Sequence, residues 1–323
     1  MREIQIGKND AGQRLDKFLT KALDLPTGLL YKAIRTKKIK VNRKRAEIGQ
    51  VLKEGDVLQC FLAPDLFAKL DGTPEGEISL DGVTPHLNII YEDENILLAD
   101  KPEGVSVHED EDSKINTLIV HIQSYLYKKG EYDPKCEQSF APALANRIDK
   151  NTGGIVIAAK NAEALRILNE KIRDRELDKR YLALIHGVPT PKSATLRGFL
   201  IKDSASNTVR VYEKNPPRGA KTIITKYKTL SSRGDKSLIE VELLTGRTHQ
   251  IRAHMAYIGH PLVGDGKYGV NKRDRELGFK HQALYSYKLK FSFTTDAGIL
   301  EYLKGKEFSV DPKRIYFTKD FLK

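Results

Sequence analysis

The 323-residue chain carries 55 Lys+Arg against 43 Asp+Glu, a formal net charge of +12, with 40% hydrophobic and 30% charged residues. This balance excludes an apolar-poor, disordered chain and leaves length for two domains. The longest apolar stretches, such as 155–159, are far below the ~18 residues of a membrane span, as is the run 96–99. Charges in the opening MREIQIGKND and a cysteine count of only two, Cys60 and Cys136, argue against a secretion signal and a disulfide framework, so a cytoplasmic protein with no membrane partner is expected.

The charge is unevenly placed. Residues 1–62 hold 14 Lys+Arg and 7 Asp+Glu, net +7; residues 63–112 hold 2 and 14, net −12; residues 113–323 hold 39 and 22, net +17. Two basic blocks flanking an acidic one fit two modules facing a polyanion, with nucleic acid as the obvious candidate.

Leu15, Phe18, Leu19 and Ala22 recur at helical spacing, and that helix must stop before Pro26. Thr27 is placed to cap a second helix carrying Leu30 and Ile34. Ile39 and Val41 then alternate with Lys38, Lys40 and Asn42, and Arg43-Lys44-Arg45 reads as a polar turn before a strand at 57–62. The segments RLDKFL, IKVN and EGDVLQC, in this order, resemble the small RNA-binding domain named after ribosomal protein S-four, so residues 1–63 are expected to form an RNA-binding domain. Within it Arg35, Lys37, Lys38, Lys40, Arg43, Lys44 and Arg45 fall in eleven positions. Such clustering neutralises several adjacent phosphates. A solvated surface run is the ordinary alternative, but no acidic residue interrupts 35–46.

Residues 64–84, rich in Pro, Gly and acids, read as an exposed linker. The larger domain is expected at 85–323, opening with a hairpin of two apolar runs, 87–91 and 96–100, joined by Glu92-Asp93-Glu94-Asn95. Residues 144–160, LANRIDKNTGGIVIAAK, place Asp149 immediately before a Thr-Gly-Gly turn and a buried strand, with Arg147 two positions away. A carboxylate so held suits a fixed nucleophile or base, but this segment taken alone favours an Asp that merely satisfies turn amides. An amphipathic helix at 162–175 precedes KRYLALIHG, which sets Tyr181 on a strand. Residues 239–269, IEVELLTGRTHQIRAHMAYIGHPLVGDGKYG, run from an alternating strand through a turn into a helix ending at Gly259.

The three last segments in this order resemble the RluA family of RNA pseudouridine synthases over roughly residues 85–300. The resemblance implies an α+β catalytic domain on a mixed, largely antiparallel sheet. It implies an enzyme that cuts the bond between uracil nitrogen 1 and ribose, turns the base and rejoins it through carbon 5. Carried over by position, Asp149 is the essential carboxylate, Tyr181 the active-site aromatic and Arg252 the cation paired with Asp149. Arg147 looks like the arginine that holds the target nucleotide out of its stack, and Ile251 packs beside the base. Thr152, Arg247 and His249 complete the expected substrate-binding set. The family's usual His-Arg-Leu-Asp and Thr-Ser-Gly stand here as Asn146-Arg147-Ile148-Asp149 and Thr152-Gly153-Gly154.

The chemistry fits these residue types. An isomerisation transfers no electrons and no group to a second molecule, so no cofactor is expected, and neither a G-x-x-x-x-G-K-[ST] loop nor a G-x-G-x-x-G fingerprint is present. Asp149 must be ionised either to attack ribose carbon 1′ or to remove the carbon 2′ proton, and a paired arginine favours the charged form against desolvation. Tyr181 can stack on uracil and assist proton removal at carbon 5. His249, His254 and His260, at spacings of five and six, do not share a helical face, and no metal site is expected. The basic runs 171–180, 210–228 and 267–275 are candidates to line the approach of an extruded base. The expected partner is RNA, large-subunit ribosomal RNA by analogy, bound by a monomer. The alternatives are tRNA as substrate, a non-catalytic ribosome-assembly factor, or an N-glycosidase releasing uracil, which would require a second acid to activate water.

Overall fold

The computed structural model describes the chain except for residues 24, 72–78, 110–112, 114, 204–205 and 323. It divides into two compact units, the first comprising residues 1–86 with 119–143 and 159–166, the second comprising 87–118, 144–158 and 167–323.

The first unit follows the expected order of short elements. Strands β1 (Arg2–Gln5), β2 (Ile39–Val41), β3 (Lys44–Arg45) and β4 (Val57–Cys60) form an antiparallel sheet ordered β1-β4-β2-β3. Helices α1 (Leu15–Ala22) and α2 (Thr27–Arg35) bury Leu15, Phe18, Leu19, Leu30 and Ile34 in its core. Two local expectations are corrected. Thr27 is the first residue of α2 rather than its cap; Pro26 occupies the cap position, and no side chain caps the helix. The β2–β3 turn is Asn42-Arg43, both at positive φ, so Lys44 and Arg45 belong to the strand. A two-residue turn with both residues left-handed matches the strand twist.

The expected linker starts as structure: Pro64–Phe67 is a tight 3-10 turn running into α3 (Ala68–Asp71), and Phe67 is buried in the core with the Arg2 guanidinium 5.1 Å from its ring. Its Gly72, Pro74 and Gly76 lie outside the described residues. The chain returns to this unit through α4 (Leu118–Lys128) and the start of α5 (Ala162–Arg173). Long-range hydrogen bonds fasten the returns: Asn9 donates to Glu137 at 2.8 Å, Gln13 to Ser139 at 2.8 Å and Arg166 to the Ala11 carbonyl at 2.8 Å.

The second unit is built on an 11-stranded sheet. Its strands are β5 (Ile89–Glu92), β6 (Ile96–Lys101), β7 (Ala143–Leu144), β8 (Gly153–Ala159), β9 (Leu177–His186), β10 (Ser193–Asp203), β11 (Thr208–Tyr212), β12 (Lys221–Arg233), β13 (Lys236–Leu243), β14 (Leu284–Phe291) and β15 (Glu307–Ser309). The main order is β11-β10-β12-β13-β9-β14-β8-β6-β5, with β15 beside β14 and β7 beside β8. The β14–β8 pair is parallel and β9, β10, β12 and β13 pair antiparallel, which is the mixed, largely antiparallel sheet expected.

Alternation on β9 sets the layers. Tyr181, Ala183 and Ile185 pack with Ile251 and Met255 of α6 (Gln250–Tyr257), whereas Leu182 and Leu184 pack on the other face with Ile315 and Phe317. Burying Ile251 and Met255 is worth about 1.5–3 kcal/mol each. It fixes α6 on the face that carries Tyr181. A short helix, α7 (Lys272–Glu276), precedes β14.

Candidate active site

Asp149, Tyr181, Arg252, Arg147, Ile251, Thr152, Arg247 and His249, all named from sequence, line one open cleft of about 1650 Å³ within the second unit. The apolar packing of α6 aims Arg252 at the turn preceding β8, where Arg252 Nη1 donates to Asp149 Oδ2 at 2.8 Å. Arg252 is 5% exposed, and two more of its donors go to Asp265: Nε donates to Oδ2 at 2.7 Å and Nη2 to Oδ1 at 2.9 Å. Burial alone would weaken the guanidinium's hold on its proton, but the bonds and charge of Asp265, then Asp149, raise its pKa instead. Burial likewise pushes the Asp265 carboxyl up, and Arg252 more than offsets it, so the net shift is downward.

The turn carrying Asp149 is fixed from several sides. Thr152 N donates to the Asp149 carbonyl at 3.0 Å, and Thr152 Oγ1 accepts from Gln282 at 3.2 Å. The Lys101 ammonium, fully out of solvent, donates to the carbonyls of Pro102 (2.8 Å), Val105 (2.7 Å) and Lys150 (2.9 Å). Asn146, where the family resemblance calls for His, accepts from Ile157 N at 2.8 Å and so pins the loop to β8. Gly153, standing for the usual Ser, leaves room for the Tyr285 ring, which a Cβ would strike. Gly154 has φ +114°, and a Cβ there would meet the Ser286 backbone.

Tyr181 is buried on β9, its phenol pushed up to about 12 by burial, with a hydrogen bond to Ser286 lowering it and the Asp149 charge raising it. His249 holds a left-handed backbone, φ 52°, just before α6. This conformation costs about 1–3 kcal/mol for a non-glycine residue and needs outside support. The support is a 2.8 Å hydrogen bond between its Nδ1 and the Tyr268 hydroxyl. His249 Nε2 lies 3.8 Å from Asp149 Oδ2, and burial holds its imidazole below the usual pKa. Arg147 is exposed on the cleft wall near His108, whose pKa falls through burial and the Arg147 charge. Of the three basic runs, 171–180 and 267–275 contribute cleft residues, including Arg175, Lys179 and Arg275; 210–228 does not.

Sequence reasoning passed over Asp265, Tyr268, Gln250 and Lys101. Gln250 ties the turn before α6 together, accepting from Thr245 Oγ1 at 2.9 Å and Arg247 N at 3.1 Å and donating to Thr225 Oγ1 at 3.0 Å. The available signal for Asp265 was an acid between two glycines, Gly264 and Gly266, in a segment otherwise devoid of acids from 243 to 273. Among the described residues no cluster of three or more His, Cys, Asp or Glu side chains is arranged to hold a metal.

The comparisons with known proteins agree on one family. The RNA pseudouridylate synthase family model matches residues 95–257. The chain is 32% identical over 292 residues to the ribosomal large subunit pseudouridine synthase C of Vibrio parahaemolyticus, covering 89% of this chain and 87% of that one. It is 34% identical over 292 residues to an uncharacterized RNA pseudouridine synthase of Mycoplasma genitalium, covering 88% of each. The solved human structure named RNA pseudouridylate synthase domain containing 4 shares the fold, with a TM-score of 0.55 at 21% identity over 71% of this chain and 90% of that one. The chain belongs to the RNA pseudouridylate synthase family. It is an RNA-modifying isomerase that converts uridine to pseudouridine.

Proposed function

We propose that the chain isomerises uridines of large-subunit ribosomal RNA, with Asp149 as the essential carboxylate, Arg252 as its partner and Tyr181 as the aromatic against the base. The observation that carries this reading is the 2.8 Å hydrogen bond from Arg252 to Asp149 in a cleft that Tyr181 also lines. The substrate class follows the names of relatives such as the Vibrio protein, a large-subunit pseudouridine synthase.

Asp149, part-exposed toward the cleft, reaches the sugar of an extruded uridine either to attack carbon 1′ or to take the proton at carbon 2′. Arg252 is held by two further hydrogen bonds to the buried Asp265, so its geometry stays fixed while charge moves on Asp149. The Tyr181 phenol, neutral at pH 7, offers a face to uracil and a hydroxyl near carbon 5. Arg147 and Ile251 hold the extruded nucleotide, and Thr152, Arg247 and His249 shape the walls around it.

Residues 1–63 act as the RNA-binding module, and the seven basic residues at 35–45 are its phosphate contacts. In support, none of the seven has an ion-pair partner among the described residues, and six are exposed, Lys40 being part-buried. The enzyme works as a monomer in the cytoplasm: one chain supplies the whole set of site residues, and among the described residues no helix is long and apolar enough to cross a membrane.

The test is Asp149→Asn, assayed by carbodiimide mapping of pseudouridine in ribosomal RNA alongside an RNA-binding measurement. Binding within about threefold of the parent with no pseudouridine formed is the expected result. Modification that persists in the variant overturns the assignment.

A further inference from the structure

We propose that Lys179 is a phosphate-binding residue of the cleft, gripping the RNA backbone next to the nucleotide whose base lies against Tyr181. The proposal rests on the reading of this cleft as the uridine site and adds a contact to it.

Position comes first. Successive strand residues alternate in direction, so Lys179 and Tyr181 share a face of β9 and stand about 7 Å apart along it. Arg180, between them, points to the other face and finds Glu240 at 2.8 Å. Lys179 lines the cleft beside the turn before α6, where a Cβ built on Gly246 would lie 3.9 Å from its Nζ.

The second observation is an internal comparison. Among the described residues, ammonium groups that are withdrawn from solvent have protein partners. Lys101 has three carbonyls, and Lys171 has Glu176 at 2.8 Å and the Thr295 carbonyl at 2.7 Å, while Lys160 pairs with Glu131. The Lys179 ammonium has neither a hydrogen bond nor an ion pair among the described residues. Burial is the one influence on its proton, lowering its pKa, so no carboxylate compensates the charge. Lys179 is part-buried and its ammonium is not closed off from the cleft, so a positive charge without a protein partner stands there ready to take an anion from outside. The anion that enters an RNA-modifying cleft is a backbone phosphate, for which a lysine serves as a point charge.

A purely structural lysine and a proton-transferring lysine make different predictions from a phosphate ligand. The full chain is compared with Lys179→Met and Lys179→Arg in three measurements. These are affinity for a fluorescent single-stranded oligouridylate across a salt series, turnover on ribosomal RNA, and thermal unfolding of the free protein. A phosphate contact predicts that the Met variant binds about tenfold more weakly at ~0.1 M salt, with the slope of log affinity against log salt reduced by about 0.7. It predicts that the Arg variant keeps affinity and turnover within about threefold, and that the Met variant unfolds no earlier than the parent, since no protein contact of the ammonium is lost.

An unchanged affinity and slope in the Met variant overturns the proposal. An Arg variant as impaired in turnover as the Met variant also overturns it, since arginine keeps the charge but cannot surrender its proton. Earlier unfolding of the Met variant would assign Lys179 to the scaffold instead. Failure of the catalytic reading is separable: it shows as pseudouridine made by Asp149→Asn, and the oligouridylate slopes still report on Lys179.

Discussion

Asp265 accepts two of the Arg252 guanidinium's hydrogen bonds, at 2.7 and 2.9 Å, and Asp149 accepts a third, at 2.8 Å. The inner carboxylate is fully buried and also accepts from Lys267 N at 2.9 Å, so it is the fixed end of the chain and Asp149 the end that meets the cleft. Asp265→Asn removes the counter-charge of a buried arginine. It is expected to destabilise the fold by about 3–5 kcal/mol in urea unfolding and to lower turnover more than RNA affinity. A variant with parental stability and turnover would show that Arg252 needs no second anchor.

His254, on α6, is buried and donates to or accepts from Thr225 Oγ1 at 2.9 Å. Burial brings its pKa down from 6.5 to about 4, so the folded protein keeps the ring neutral where the unfolded chain protonates it. Stability from the neutral ring is therefore complete above about pH 6.5 and is lost as pH falls toward 4, by about 3 kcal/mol in all. Unfolding free energies at pH 7, 5.5 and 4 are expected to fall less steeply in His254→Gln than in the parent. Parallel curves would remove His254 from the acid response.

The hairpin turn of the first unit gives a graded test of its RNA contacts. Arg43, Lys44 and Arg45 are exposed and carry no described ion pair, so replacing all three by Ala is expected to leave thermal stability within about 1 °C. The slope of log RNA affinity against log salt should drop by about 2–3. An unchanged slope would place the RNA elsewhere.

Some of this architecture was legible from residues alone. Tyr181 and the 155–159 run sit on strands whose period or unbroken apolarity is local, and Arg252 stands on a helix bounded by a turn and by Gly259. The segment order then brought Asp149 and Arg252 together by resemblance. Asp265 was not legible, because Gly-Asp-Gly reads as a loop whatever its carboxylate does, and its bonds to Arg252 span thirteen positions. Nor was the return of residues 119–143 to the first unit, since Asn9–Glu137 and Gln13–Ser139 join polar residues more than 120 positions apart. Lys44 and Arg45 were misplaced for a local reason: a left-handed Asn42-Arg43 turn needs no glycine when the Asn42 side chain bonds Val57 N at 2.9 Å and Asp56 at 2.8 Å.

The most direct measurement compares pseudouridine maps of total RNA from cells lacking this protein and from the same cells supplied with the parent chain or with Asp149→Asn. At least one large-subunit ribosomal uridine should lose its modification without the protein, regain it with the parent and stay unmodified with the variant. Recovery with Asp149→Asn, or a loss confined to transfer RNA, would contradict the account.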